Sequence, residues 1–98
     1  MPDTLTVVAR LTATEGKADL VQAEMTALVQ DTRKEKGCIR YVLNRGVDDP
    51  NVFVFVEEWR SRALWEDHMN GPVLSGFRDR IGDDWIASSE VHALTVIA

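Results

Sequence analysis

The stretch VFVFVEEW at residues 52–59 constrains this chain more than any other. β-Branched and aromatic residues in an unbroken run favour an extended strand. Successive side chains of a strand point to opposite faces. Phe53, Phe55, Glu57 and Trp59 therefore share one face, and Val52, Val54, Val56 and Glu58 share the other. Both faces are largely apolar, so the sheet needs cover on both sides. CIRYVLNR at 38–45 reads similarly, with Ile39, Tyr41 and Leu43 on one face and Val42 on the opposite one.

Around this core the pattern alternates. LTVVARLTA at 5–13 is a strand, broken by Glu15-Gly16-Lys17. From Ala18 to about Glu35 the period becomes helical, with Val21, Met25, Leu28, Val29 and Thr32 on one face. Lys34 and Lys36 suit a helix C-terminus, and Gly37 is a natural stop. The run Gly46 to Asn51 is dense in turn formers and reads as a hairpin loop, with Asp48-Asp49 a solvated turn. Ser61 suits an N-cap for a helix through Met69. Asn70-Gly71-Pro72 punctuates, and 73–80 is a second short helical piece. Gly82-Asp83-Asp84 reads as a loop, and EVHALTVI at 90–97 as the last strand.

The expected order is β-α-β-β-α-β, an α+β domain spanning 1–98. Ninety-eight residues make one domain. Right-handed crossovers place both helices on the same side of the sheet. The other side would then be a larger apolar patch than monomers usually expose. A second copy packed sheet to sheet about a two-fold axis covers it. A short, curved sheet covered by loops is the alternative.

The net charge of −5 argues against nucleic acid or an anionic membrane as partner. Cys38 is the only cysteine, so no intrachain disulfide forms and nothing points to an oxidising compartment. Met1-Pro2-Asp3-Thr4 does not open a signal peptide, and no apolar run reaches the ~20 residues of a membrane span. The expected location is the cytoplasm. There is no G-x-G-x-x-G, no P-loop and no G-x-S-x-G elbow. Two histidines far apart, without C-x-x-C or H-E-x-x-H spacing, give no metal site.

Several segments together resemble the antibiotic biosynthesis monooxygenase family. They are Val7-Val8-Ala9-Arg10-Leu11, Glu15-Gly16-Lys17 and Gly37-Cys38-Ile39-Arg40-Tyr41 in the first half. In the second half they are Val56 to Leu64 (VEEWRSRAL), with His68 four residues on. The resemblance implies a ferredoxin-like protomer with an antiparallel sheet, a dimeric α+β barrel, and a pocket between each sheet and its own helices. Some relatives oxygenate polycyclic aromatics or quinols without metal or flavin. Others degrade haem or isomerise small sugar-derived molecules. The haem-degrading branch has Asn, Trp and His where this chain has Ala9, His68 and Arg78, so haem is discounted. Many relatives carry a second His where this chain has Val73.

Cofactor-free oxygenation needs a base titrating near neutrality, an apolar pocket and exclusion of water. His68 is the candidate base, because imidazole titrates near pH ~6.5. Trp59, Phe53, Phe55 and Met69 are candidates to line the pocket. Tyr41 or Arg10 would hydrogen-bond a substrate oxygen if it faces the cavity. Glu57 either orients His68 or caps a helix. His68 and Trp59 also have plain packing roles open to them, and His92 sits at an interface or rim. No triad suggests Cys38 as a nucleophile. The expected activity is cofactor-independent oxidation of a small or polycyclic phenol or quinol by O₂. A non-catalytic small-ligand-binding module, or an isomerase or lyase on a small oxygenated substrate, stands as the alternative.

Overall fold

A computed structural model describes residues 4–98, so the expectation about Met1-Pro2-Asp3 lies outside it. The elements follow the expected order: β1 (Leu5–Ala13), α1 (Ala18–Thr32), β2 (Cys38–Arg45), β3 (Val52–Trp59), α2 (Arg62–Met69), α3 (Pro72–Arg80) and β4 (Ile86–Leu94). The four strands form one antiparallel sheet in the order β2-β3-β1-β4. This is the ferredoxin-like α+β arrangement.

The strand alternation holds along β3. Phe53, Phe55, Glu57 and Trp59 are buried, while Val52, Val54, Val56 and Glu58 are half-buried. The buried face carries the helices. Val21, Met25, Leu28, Val29 and Thr32 of α1 are all buried against it, as the helical period requires. Across the uncovered face, register aligns Val42 of β2, Val56 of β3, Val8 of β1 and His92 of β4 in one row.

Three expectations need correcting. First, β2 carries a bulge between Cys38 and Arg40, so Cys38 pairs with Trp59 while Tyr41 pairs with Glu57. One extra residue reverses the facing. Ile39 leaves the Tyr41–Leu43 face and is exposed.

Second, α1 ends at Thr32 rather than near Glu35. Lys34 N–H donates to Asp31 O and Glu35 N–H to Thr32 O, which tightens the chain into turns. Gly37 then turns with φ +88°, in the left-handed region that favours glycine. A Cβ there would lie 2.6 Å from Leu64 Cδ1, so α2 packs directly on this turn.

Third, β4 runs Ile86–Leu94 instead of 90–97. The Ser88-Ser89 pair lies ahead of the expected strand. It is drawn into the sheet because Thr12 and Leu11 of β1 offer it a ladder. An edge strand tolerates such residues. Almost all of β4 is exposed, and Val96 and Ile97 beyond it are exposed too.

Candidate functional site

Between the sheet and the helices lies a cavity of about 270 Å³. Tyr41 of β2, Phe55 and Glu57 of β3, and His68 and Met69 of α2 form one wall. Leu28 of α1 and Leu74, Phe77 and Arg78 of α3 form the opposite side. Ile86, Ser89 and Val91 of β4 line the remainder, where Val91 is exposed. The lining is predominantly apolar with a few convergent polar groups, the usual make-up of a small-molecule site.

α2 delivers His68. Ser61 caps it, its Oγ accepting from Leu64 N–H at 3.2 Å. Seven residues on from Ser61, His68 faces inward and is 4% exposed. Its Nδ1 lies 2.6 Å from Glu35 Oε1 and 3.2 Å from Oε2. A carboxylate only accepts, so Nδ1 donates, and in the neutral ring Nε2 is then the nitrogen with the lone pair. The imidazole stacks on the Trp59 ring at 4.7 Å between centroids and 32° between planes. Tyr41 meets it edge-on at 5.6 Å. Three contacts thus fix the ring.

Glu35 lines a different recess, with Lys36, Leu64, Asp67 and Val73. His68 borders both hollows.

Glu57 is 4% exposed and accepts from Trp59 Nε1 at 2.9 Å. Burial pushes its carboxyl up to about 7, against the Trp59 bond, which lowers it. Burial, then the neighbouring Glu57, pushes the Tyr41 phenol well above its ordinary value. The same two causes raise the Cys38 thiol, which suits a packing residue better than a nucleophile.

His68, Glu57, Phe55, Tyr41 and Met69 thus meet at one cavity. Three expected site residues lie elsewhere. Trp59 is fully buried beneath His68, so its ring supports the imidazole rather than lining the cavity. Phe53, two residues before Phe55, borders the groove between α1 and β2 instead. It is fully buried there under the Arg45 guanidinium, whose carbon lies 5.2 Å from the ring centroid. Arg10 projects from the uncovered face, 3.7 Å from Glu90. The alternation of β1 puts it opposite Ala9, which does line the cavity.

Glu57 pairs with Trp59, and Glu35 takes the role of orienting His68. Nothing in the sequence pattern singles out Glu35, because its place depends on where α1 ends. Phe77 and Arg78 were also missed as lining residues; the helical period of α3 puts Phe77 on its buried face. His92 is exposed on the open face, 3.5 Å from Glu90. Among the described residues, no three His, Cys, Asp or Glu side chains gather as metal ligands. No described helix is long and apolar enough to cross a membrane.

Comparison with known proteins agrees with this geometry. The family model described as antibiotic biosynthesis monooxygenase matches residues 4–80. A solved structure of the Pseudomonas aeruginosa protein PA3566 is 32% identical, with a TM-score of 0.90, covering 100% of this chain and 98% of that one. A Mycobacterium tuberculosis protein, "Putative monooxygenase Rv0793", is 28% identical over 83 residues, 85% of this chain and 81% of its own. Its solved structure superposes with a TM-score of 0.85, covering 97% of this chain and 96% of that one.

Proposed function

Because this chain belongs to the antibiotic biosynthesis monooxygenase family, we propose that it oxidises a small phenol or quinol to a quinone with O₂ in the cavity beside His68, without a cofactor. Membership in this family, with a relative named as a monooxygenase, makes it a monooxygenase-like enzyme.

One observation carries the reading: a single imidazole, held through Nδ1 by Glu35, on the wall of an apolar cavity. An electron-rich phenol or hydroquinone reacts with O₂ once it is deprotonated. With Nδ1 donating to Glu35, His68 Nε2 is the atom left to accept the phenol proton. The Glu35 carboxylate then stabilises the imidazolium that forms. Phe55, Leu74 and Phe77 would sandwich the ring and keep water away from the phenolate. A benzene molecule fits a cavity of about 150 Å³. A volume of about 270 Å³ therefore suits one or two fused rings better than a larger polycycle. Its apolar lining favours an aromatic substrate over a small polar one.

The working form we propose is a homodimer. The row Val42, Val56 and Val8 on the helix-free face is what a second sheet would cover.

The test is oxygen uptake by purified, metal-free protein with phenol, quinol and anthrone panels. Uptake that vanishes in His68→Ala supports the reading. Ligand binding without uptake supports the non-catalytic alternative, and unchanged activity in His68→Ala rejects His68 as the base.

A further inference from the structure

We propose that Glu57 is a second catalytic group in this cavity, a general acid that protonates the substrate's peroxide oxygen. The proposal rests on the oxygenation reading given above.

The placement carries it. Glu57 sits between Phe55 and Trp59 on the helix-covered face of β3 and lines the cavity. Its Oε1 accepts from Trp59 Nε1. Among the described residues no Lys or Arg forms an ion pair with it. A buried carboxyl without a cation is held neutral. A neutral carboxyl keeps an O–H to donate, and the Trp59 bond occupies only one of its two oxygens.

The other groups around it do not compete. Tyr41 and Cys38 of β2 are pushed upward, so they retain their protons. Arg78 of α3 stays protonated at any working pH. His68 of α2 is the base and is tied to Glu35. Glu57 is the remaining group on this wall that can part with a proton near neutrality, in keeping with a carboxyl pushed up to about 7.

The cycle balances with these two groups alone. His68 takes the phenol proton. The phenolate ring carbon gives its electron pair to O₂, forming a C–O bond and a peroxide anion. Glu57 protonates that anion. The Glu57 carboxylate then takes the ring C–H proton as the C=O bond forms and the O–O bond breaks. The departing hydroxide takes the proton held by His68 and leaves as water. The sum is phenol plus O₂ giving quinone plus water, with both side chains restored.

The experiment compares wild type, Glu57→Gln and Glu57→Asp on the same phenol panel, with a nitrophenol as spectroscopic probe. Glutamine keeps the shape and the bond from Trp59 but has no proton to transfer. The expected result is a fall in kcat of about a hundredfold or more, with KM within about threefold. Aspartate should recover part of it. The alkaline limb of the wild-type pH–rate profile, centred near 7, should be missing in Glu57→Gln. Bound nitrophenol should still ionise in Glu57→Gln, and should stay neutral in His68→Ala. A kcat within about twofold of wild type, or an intact alkaline limb, overturns the proposal. If wild type oxidises no member of the panel, the oxygenation reading fails by itself. Infrared titration then decides the acid separately. A carboxyl band lost near pH 7 in wild type and absent in Glu57→Gln supports it. A Glu57 already ionised at pH 5 overturns it.

Discussion

His68 Nδ1 lies 2.6 Å from Glu35 Oε1, joining α2 to the turn that follows α1 across 33 residues of sequence. The His68 side chain is 2% exposed and that of Glu35 is 20% exposed. The imidazole is thus enclosed, and its partner reaches the surface. This one contact sets which ring nitrogen carries hydrogen and which is free for a substrate.

Removing that partner should damage catalysis without unfolding the protein. A charge-assisted hydrogen bond contributes about 1.5–3 kcal/mol, which is roughly a tenfold to hundredfold change in rate if expressed in the transition state. Glu35→Ala should lower kcat by that factor and leave KM nearly unchanged. Nitrogen NMR of the His68 ring gives an independent reading. Wild type should show one tautomer with hydrogen on Nδ1, and Glu35→Ala a mixture. A single unchanged tautomer in the variant would sink the assignment.

Much of the frame was legible in the sequence, and the reason is periodicity. Phe53, Phe55, Glu57 and Trp59 bury together because a strand alternates, and Val21 to Thr32 bury together because a helix repeats every 3.6 residues. The site was only partly legible. Glu35 became visible once α1 stopped at Thr32, and Ile39 left its face through a bulge that no local pattern announces. Trp59 and Arg10 were assigned to the pocket by type. Trp59 is covered by His68, and Arg10 points to the other face. Periodicity says which side a residue takes; it does not say what else already occupies that side.

Glu57 makes stability depend on pH with a definite sign. Its carboxyl is pushed up from 4.5 to about 7, so the folded state binds more protons than the unfolded state between those values. Stability then falls as pH rises. The contribution is fully present below about 4.5 and is lost as pH passes through about 7. The span is on the order of 3 kcal/mol. Denaturant titrations of wild type and Glu57→Gln at pH 5 and pH 8 measure it. Wild type should lose stability relative to Glu57→Gln at the higher pH, and parallel behaviour would contradict the burial argument.

Gly37 couples backbone conformation to the position of α2. Its φ of +88° strains any residue with a Cβ, and that Cβ would meet Leu64 at 2.6 Å. Gly37→Ala should cost about 1–3 kcal/mol in stability. Because Leu64 and His68 are one turn apart on α2, the variant should also lose activity beyond its loss of folded protein. Gly16 is the control. It has φ +86° but no neighbour within 4 Å, so Gly16→Ala should be destabilised by backbone strain alone and keep the His68 site intact.

Filling the cavity should separate stability from ligand binding. Ala9 is 8% exposed and forms part of the wall, paired with Phe55 on one side and Val91 on the other. Ala9→Leu adds three carbons into space that a substrate ring would use. Buried apolar carbon in an unfilled volume contributes about 0.8 kcal/mol per methylene, offset by any strain against Phe55. Stability should therefore stay level or rise by about 0.5–2 kcal/mol. Phenol affinity, read by calorimetry, should fall at least about tenfold. A variant that is well folded and still binds phenols normally would show that the ligand sits elsewhere. The groove between α1 and β2, bordered by Phe53 and Arg45, would then be the place to look.

The helix-free face gives the last expectation. Val42, Val56 and Val8 form a continuous row there, and β4 ends the row with exposed His92. A row of valines buries well only against another apolar surface, and every described helix packs on the opposite side of the sheet. A charge in the middle of that row would have to be desolvated in a paired assembly. It would stay hydrated in a monomer. Val56→Arg should thus shift the protein from dimer to monomer in sedimentation velocity. It should leave the cavity residues in place, because Glu57 next to it points the other way. A wild-type protein that sediments as a monomer at micromolar concentration would refute pairing through this face.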